Sequence, residues 1–228
     1  MITTDLVDDV RRVTIDRPER RNALTSAGLD ALRRTVEEAD ASVIVIRGAG
    51  SAFCAGADLD EVADLGREGA AEFARRGQRT ARAIGETDGV VLAAIDGPAR
   101  GGGLELALAC DLRVATPEAT FGEPGVTFGL FGAWGGTVRL PRVLGEGAAM
   151  DLALSGRVVD AEEALRMGLV SRIVDDPWTV ATGIARNDPY ALAATKRRLR
   201  DDRPVAEQEE REAEAFAELI ARYEPEDR

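Results

Sequence analysis

Residues 90–109 read VVLAAIDGPARGGGLELALA and join two apolar runs through a loop that ends in three successive glycines. The first run, residues 90–95, has the length and composition of a buried strand. The glycines at residues 101–103 open the second run, which we predict to be an apolar helix over residues 104–109. Glycine lets a ligand approach the main chain closely, and the first N–H groups of a helix have no intrahelical acceptor. The stretch therefore predicts a strand, a loop open to a ligand, and a helix start that presents free donors.

A second loop of the same kind follows another short apolar run. Residues 42–47, SVIVIR, favour a buried strand, and the loop after them contains FCAGADL at residues 53–59. Two backbone donors from separate loops that face one point form an oxyanion hole. The same glycines and alanines also suit tight turns and close helix packing, so the pattern alone leaves both interpretations open.

Neither loop matches a phosphate-binding signature. The P-loop requires a lysine after its last glycine, and Lys196, the only lysine of the chain, is far from both loops in sequence. The dinucleotide fingerprint requires a third glycine at the sixth position, where the two loops have Leu106 and Phe53. We therefore expect no cofactor of either kind.

The first half of the chain alternates strand-like and helix-like segments with short connections, which predicts an α/β fold. From residue 148 onward the pattern is mainly helical, and it ends in a charged segment with Phe216, Leu219 and Ile220 on one face. That amphipathic helix either crosses a subunit boundary or folds back onto its own domain. The further predicted elements are strands at residues 12–16, 112–115 and 169–174, and helices at residues 26–38, 69–84, 150–154, 161–167 and 204–223.

Composition excludes several classes of function. The 228 residues are 45% hydrophobic and carry a formal net charge of −12, which is typical of a globular domain that repels nucleic acid and anionic membranes. This acidic surface is compatible with a high-salt cytoplasm or with GC-rich codon usage. Histidine is absent, which excludes Ser-His-Asp and Cys-His catalysis, and Cys54 and Cys110 are too few for a disulfide framework. No run is long and apolar enough for a membrane span, and residues 1–12 lack a secretory signal, so we expect a cytoplasmic protein.

Seven segments together form a specific pattern: DRPERRNAL at residues 16–24, AGADL at 55–59, GPARGGGLEL at 97–106, CDLR at 110–113, FGEP at 121–124, GGTVRL at 135–140 and GLV at 168–170. In order and spacing the chain resembles the crotonase superfamily, the enoyl-CoA hydratase/isomerase family. The resemblance implies a crotonase-like α/β fold of repeated ββα units over residues 1–190. It also implies a C-terminal helical oligomerisation segment over residues 191–228, shorter than in relatives, and assembly as a homo-trimer or a dimer of trimers.

The same resemblance implies an acyl-CoA thioester substrate whose carbonyl oxygen lies between the N–H groups of Ala57 and Gly102. Glu105 is implied as a catalytic acid or base; otherwise it is a polar helix residue bonded to nearby backbone. The three arginines within residues 17–21 would supply positive charge for the CoA phosphates, with Arg21 as the strongest candidate, or would form a solvated surface cluster. The other implied substrate or CoA contacts are Ala23, Ala55, Asp58, Leu59, Gly101, Pro124, Gly125 and Trp134.

The sequence departs from the family pattern in three places. Hydratases of the family use a second glutamate directly after the proline of the FGxP motif, where this chain has Gly125. Glu123 lies two positions earlier, and we expect its carboxylate to be unable to substitute without a backbone shift. A Gly125→Glu substitution is accordingly expected to raise the rate of hydration. Trp134 replaces a small residue and either reshapes the acyl pocket or belongs to the core, and the early C-terminus is expected to weaken CoA binding and the usual hexamer.

The main functional prediction is hydration of a 2-enoyl-CoA to a 3-hydroxyacyl-CoA, through a thioester enolate, in fatty-acid or related acyl-CoA degradation. A single carboxylate also leaves open an isomerase, a decarboxylase or a thioester hydrolase on the same site. A non-catalytic acyl-CoA binding protein is the alternative from a different class, since Gly125 replaces the second glutamate. We expect no metal and no cofactor apart from the coenzyme A of the substrate. Serine peptidase chemistry is disfavoured because neither loop presents a serine with a base beside it.

Overall fold

A six-stranded β-sheet and a three-stranded β-sheet form the scaffold in the computed structural model, which describes residues 1–223. The last five residues of the predicted C-terminal segment lie outside this range. The strands are β1 (Ile2–Val7), β2 (Val10–Ile15), β3 (Val43–Gly48), β4 (Val90–Ile95), β5 (Pro98–Arg100), β6 (Leu112–Ala115), β7 (Thr120–Gly122), β8 (Val158–Asp160) and β9 (Arg172–Ile173). The helices are α1 (Ser26–Glu37), α2 (Leu59–Ala63), α3 (Arg67–Glu86), α4 (Gly102–Ala109), α5 (Gly136–Leu144), α6 (Glu146–Ser155), α7 (Ala161–Arg166), α8 (Trp178–Ala185), α9 (Pro189–Leu199) and α10 (Val205–Ile220), with 3-10 helices at Pro18–Arg20 and Pro124–Phe128.

The larger sheet has the strand order β1-β2-β3-β4-β6-β9, with β1 antiparallel to β2 and the remaining pairs parallel. Helices cover both of its faces. In β3, Ile44 and Ile46 pack into the core that contains α1 and α3, whereas Val43 and Val45 pack into the core that contains α8. Because both faces are buried, the central strands read as continuous apolar runs rather than as alternating ones.

The smaller sheet, β5-β7-β8, brings the two glycine-rich loops together. The chain leaves the large sheet after β4, forms β5 at once and then enters α4, which is one ββα unit; β6 and β7 repeat the two strands. The loop after β3 joins the same sheet through a parallel bridge between Cys54 and Ala99. The loop that follows β3 and the loop that follows β5 are therefore neighbours in space.

Most predicted elements are confirmed, and the differences have local causes. The predicted strand at residues 169–174 is wrong in length, because β9 contains only Arg172–Ile173. The N–H groups of Leu169 and Val170 donate to the Ala164 carbonyl and close the end of α7, so they cannot join the sheet. The strands β1, β5, β7 and β8, which are short or lie at sheet edges, were not predicted from the sequence. The helices α2, α5, α8 and α9 were not predicted either.

The C-terminal helices dock against the carboxyl-terminal end of α3 and the start of β4. Lys196 of α9 donates to the Gly89 carbonyl at 2.7 Å and forms a 2.8 Å ion pair with Asp111. Phe216 and Ile220 on α10 remain exposed in the single chain, although the helix contacts α9. Within residues 1–223, no helix combines the length and the apolar character needed to cross a membrane.

Candidate active site

The Ala57 N–H group points away from Leu24, whose backbone bonds hold the loop that follows β3. The Gly56 carbonyl accepts the Leu24 N–H at 2.8 Å, and the Leu24 carbonyl accepts the Asp58 N–H at 3.0 Å. A trans peptide places its C=O and N–H on opposite sides, so the Ala57 N–H points away from Leu24. On that other side the loop is joined to β5 by the Cys54 bridge. The N–H is therefore directed toward the loop that follows β5.

The Gly102 N–H group points out of the N-terminus of α4. The Gly101 carbonyl accepts the Glu105 N–H at 3.0 Å and so points along the helix. Peptide planarity turns the following N–H, that of Gly102, in the opposite direction. Gly101 has a φ of 47°, a left-handed conformation that glycine adopts without strain. This glycine lets the chain turn abruptly from β5 into the helix.

The two N–H groups belong to peptides that pack against each other. A Cβ atom placed on Gly56 would lie 2.9 Å from the Gly102 nitrogen, and Gly56 has a φ of 94°, so both contact and conformation require glycine. Among residues 1–223, neither the Ala57 N–H nor the Gly102 N–H has a hydrogen-bond acceptor. Two unpaired donors at neighbouring positions can stabilise a negatively charged oxygen between them.

Glu105 lies one helical turn after Gly102, on the same face of α4. Its side chain is 1% exposed, and its Oε1 accepts the Trp134 N–H at 2.9 Å and the Gly136 N–H at 2.5 Å. Burial raises the pKa of the Glu105 carboxyl, and the two N–H donors oppose that rise. Glu105 therefore makes the backbone bonds of the structural alternative, and it also lies one helical turn from the unpaired Gly102 N–H.

A second buried carboxylate, that of Glu123, lies beside Glu105. A Cβ placed on Gly132 would be 2.9 Å from the Oε2 atoms of both glutamates, so these oxygens are at most twice that distance apart. Burial and the nearby charge of Glu105 raise the pKa of Glu123 to about 8. The sequence predicts that Glu123 needs a backbone shift to serve here, but in the structure its carboxylate already lies beside that of Glu105, at the point where the chain leaves β7 and enters the 3-10 helix.

Gly125 occupies a position where a side chain does not fit. A Cβ on this residue would lie 2.8 Å from the Phe131 Cα and 3.1 Å from the Leu130 carbonyl oxygen. These are backbone atoms, so residues 124–131 would have to move to admit a glutamate. The loop is built around a glycine, so we expect Gly125→Glu to displace these residues and not to raise the rate of hydration.

An apolar cavity of about 550 Å³ opens beside Glu123 and Gly125. Its walls come from the second 3-10 helix, α5 and α6, and include Val126, Leu140 and Leu154. A concave, mostly apolar space with a few polar groups at one end is typical of a small-molecule site. Within the described part of the chain, no group of three or more acidic or cysteine side chains is arranged to hold a metal ion.

Comparison with known proteins identifies the family to which the chain belongs. The family model for enoyl-CoA hydratase/isomerase matches residues 7–224, which is nearly the whole chain. This chain belongs to the enoyl-CoA hydratase/isomerase family. The resemblance inferred from the seven sequence segments is thereby confirmed.

Individual members of the family give the same result. A 1.8 Å crystal structure of enoyl-CoA hydratase from Bacillus anthracis superposes with a TM-score of 0.91 at 32% identity, covering 96% of this chain and 91% of that one. The crotonyl-CoA hydratase of Syntrophomonas wolfei is 40% identical over 165 residues, which are 70% of this chain and 64% of that protein. The short-chain-enoyl-CoA hydratase of Clostridium acetobutylicum is 34% identical over 198 residues, 82% of this chain and 76% of that protein. The predicted crotonase-like fold is confirmed.

Trp134 is a buried residue beside the start of α4. Its side chain is 2% exposed and packs edge-to-face on Phe73, with ring centroids 5.7 Å apart. A Cβ on either Gly77 or Gly102 would overlap the indole ring, so the ring lies between α3 and the start of α4. The ring is therefore a core residue packed against Gly102. An effect of Trp134 on the acyl pocket stays a prediction, since the residues that line the cavity above do not include it.

The arginine cluster separates into paired and unpaired members. Arg17 forms a 2.5 Å ion pair with the buried Asp58 and also donates to the Ala23 carbonyl, and Arg20 pairs with Asp60. Arg21 is exposed, and no carboxylate within residues 1–223 pairs with it. Of the three, Arg21 therefore retains a guanidinium free to meet an anion.

Asp58, predicted as a substrate or CoA contact, has structural partners for both of its carboxylate oxygens. Its carboxylate caps α2 by accepting the N–H groups of Asp60 and Glu61, and its other oxygen is held by Arg17. The pKa of Asp58 is accordingly lowered although burial acts against this. Among the remaining predicted contacts, Ala23 is buried, Ala55 is partly buried beside Arg21, Leu59 is exposed at the start of α2, and Pro124 begins the second 3-10 helix.

Proposed function

We propose that this chain adds water across the C2=C3 double bond of a short 2-enoyl-CoA thioester to give a 3-hydroxyacyl-CoA. One observation carries the proposal: two neighbouring peptide N–H groups, at Ala57 and Gly102, have no acceptor within residues 1–223 and lie near the buried carboxyl of Glu105. Attack of water on C3 moves negative charge onto the thioester oxygen. A donor in such a site typically contributes about 2.7–4 kcal/mol to transition-state stabilisation.

Glu105 is the proposed general base. The Trp134 and Gly136 N–H groups bind one carboxylate oxygen and fix its direction, which leaves Oε2 to accept a proton from water. The reaction changes no oxidation state of the protein and requires no metal, so the proposal includes coenzyme A only as part of the substrate. Two relatives, a crotonyl-CoA hydratase and a short-chain-enoyl-CoA hydratase, support a short acyl chain.

Turnover of crotonyl-CoA tests this proposal. Hydration removes the conjugation between the double bond and the thioester, so the ultraviolet absorbance of the enoyl thioester should fall with time. Binding of crotonyl-CoA without turnover would contradict hydration and would favour the acyl-CoA binding protein considered above.

The exposed Arg21 leads to a prediction about coenzyme A binding. Arg21→Ala should raise the KM for crotonyl-CoA by about 10-fold with little change in kcat, because a charge-assisted hydrogen bond to a phosphate is worth about 1.5–3 kcal/mol. Arg34→Ala, which removes an exposed arginine near the end of α1, is the matched control and should leave KM unchanged. Equal KM values for Arg21→Ala and the control would show that Arg21 does not contact the phosphates.

The proposal places the protein in the cytoplasm, in fatty-acid or related acyl-CoA degradation, as a homo-trimer or dimer of trimers. The exposed apolar side chains of α10, Phe216 and Ile220, support burial of this helix in an assembly. Light scattering of the purified protein measures the number of subunits directly.

A further inference from the structure

Glu123 is a buried acid with one carboxylate oxygen that has no partner in the described part of the chain. Its side chain is 6% exposed, and its Oε1 is buried without a hydrogen-bond partner in the described structure. A buried polar atom without a partner is costly, and native proteins retain few of them. Such an atom next to a ligand-sized cavity points to a group that acts on the ligand.

The surroundings of the two glutamates favour different protonation states. Oε1 of Glu105 accepts two backbone N–H groups, and these donors stabilise a carboxylate. Glu123 receives no such donor at Oε1, and burial together with the charge of Glu105 raises its pKa to about 8. Burial also raises the pKa of Glu105, but its two N–H donors oppose that rise. The two environments therefore favour the carboxylate at Glu105 and the protonated acid at Glu123, which is the arrangement expected of a base beside an acid.

A backbone hydrogen bond fixes the position of Glu123 relative to the N–H groups of Ala57 and Gly102. Glu123 follows β7 directly, and the carbonyl of Gly122, the last residue of that strand, accepts the Gly101 N–H at 3.0 Å. This bond joins the peptide before Glu123 to the turn that presents the Gly102 N–H. Gly132 lies against both carboxylates. A Cβ on this residue would be 2.8 Å from the Glu105 Cδ, so a side chain does not fit there.

We propose that Glu123 is the second catalytic residue of this chain and delivers the proton to C2 of the substrate, a role that rests on the proposed hydration reaction. Gly125 leaves no room for a carboxylate at the position that the family pattern specifies. Glu123 reaches the cavity from two residues earlier in the chain. The site thus contains two carboxyl groups, and the second one comes from position 123 instead of position 125.

The proposed reaction is balanced in protons and electrons. The Glu105 carboxylate takes a proton from water as the water oxygen bonds to C3, and the C2=C3 π electrons move toward the thioester to form an enolate. The enolate electrons then form a C–H bond at C2 with the proton of Glu123. The proton now on Glu105 passes to the Glu123 carboxylate, which restores both groups and leaves the 3-hydroxyacyl-CoA.

A Glu123→Gln substitution tests the proposal through kcat and its pH dependence. Glu123 donates only when protonated, so kcat of the wild-type protein should fall as the pH rises through about 8. The variant should lose about 100-fold in kcat at pH 7 and should lose that basic limb. Other charged groups are on the surrounding elements: Glu105 on α4, Arg139 on α5 acting on Glu105, Glu146 on α6 at the cavity wall, and Arg100 on β5.

Glu118→Gln is the matched control, because Glu118 is an exposed glutamate five residues earlier in the chain. It should retain the wild-type kcat and the basic limb. Wild-type kcat and pH profile in Glu123→Gln would overturn the role of Glu123 while leaving the hydration reaction intact. Absence of turnover in the wild-type protein would instead overturn the proposed function.

Infrared spectroscopy tests the protonated acid without relying on turnover. At pH 7 the wild-type protein should show the C=O band of a protonated carboxylic acid, and this band should disappear on raising the pH above about 8. The band should be missing from Glu123→Gln and present in Glu118→Gln. A wild-type spectrum without the band at pH 7 would overturn the proposal.

Discussion

Replacing Glu105 by glutamine should lower the kcat for crotonyl-CoA hydration by about 100- to 10,000-fold, because a positioned general base contributes a factor of this size. The amide oxygen can still accept the Trp134 and Gly136 N–H groups, so the loop that precedes α5 should keep its position. The amide cannot accept a proton from water. The loss should therefore appear in kcat, with the affinity for crotonyl-CoA little changed.

Two measurements distinguish a chemical loss from a structural one. The Tm of Glu105→Gln should remain close to that of the wild-type protein, because the change is isosteric and removes the desolvation of a buried charge. Calorimetric titration with butyryl-CoA, which cannot be hydrated, should give similar Kd values for both proteins. A wild-type kcat in Glu105→Gln would show that this carboxyl only holds the backbone of residues 134–136.

The second large effect concerns stability and involves the only lysine of the chain. Lys196→Met should lower the free energy of unfolding by about 3 kcal/mol, at the lower end of the range for breaking a buried ion pair. The change removes the bonds of Lys196 to Asp111 and to the Gly89 carbonyl, while Arg200 remains paired with Asp111 at 2.7 Å. The Asp111 carboxylate also accepts the Val91 N–H, so the damage should extend to the start of β4.

Arg197→Met on the next residue of the same helix provides the control. Arg197 is 59% exposed at its side chain and contacts the exposed Asp88 at 3.4 Å, and such surface pairs contribute about 0–1 kcal/mol. Urea unfolding of both variants measures the difference. Equal free energies of unfolding for Lys196→Met and Arg197→Met would contradict a structural role for the buried pair.

The sequence could predict those features of the site that depend on the backbone chemistry of a few adjacent residues. Three successive glycines before an apolar run predict a helix start with free N–H groups, and the run FCAGADL predicts a turn that another backbone can approach closely. Both features depend on a few adjacent residues. The structure places the two loops side by side because the loop after β3 pairs with β5.

The features that sequence could not predict depend on tertiary packing. Side chains two residues apart in an extended chain share a face, so the local pattern does not exclude Glu123. Only the structure shows that its carboxylate lies beside Glu105, where the chain leaves β7 and enters the 3-10 helix. The requirement for glycine at position 125 arises from the backbone of Leu130 and Phe131, five and six residues later. Asp58 was predicted as a ligand contact because it belongs to the AGADL segment. Only the structure shows its bonds to Arg17 and to the start of α2.

The two peptide N–H groups are the centre of this account, and the vibration of a bound thioester carbonyl tests them most directly. Butyryl-CoA, isotopically labelled at its thioester carbonyl, is bound to the wild-type protein and its infrared difference spectrum is compared with that in buffer. Two donors on the carbonyl oxygen weaken the C=O bond, so the stretching frequency should fall on binding. An unchanged frequency for bound butyryl-CoA would contradict an oxyanion hole formed by Ala57 and Gly102.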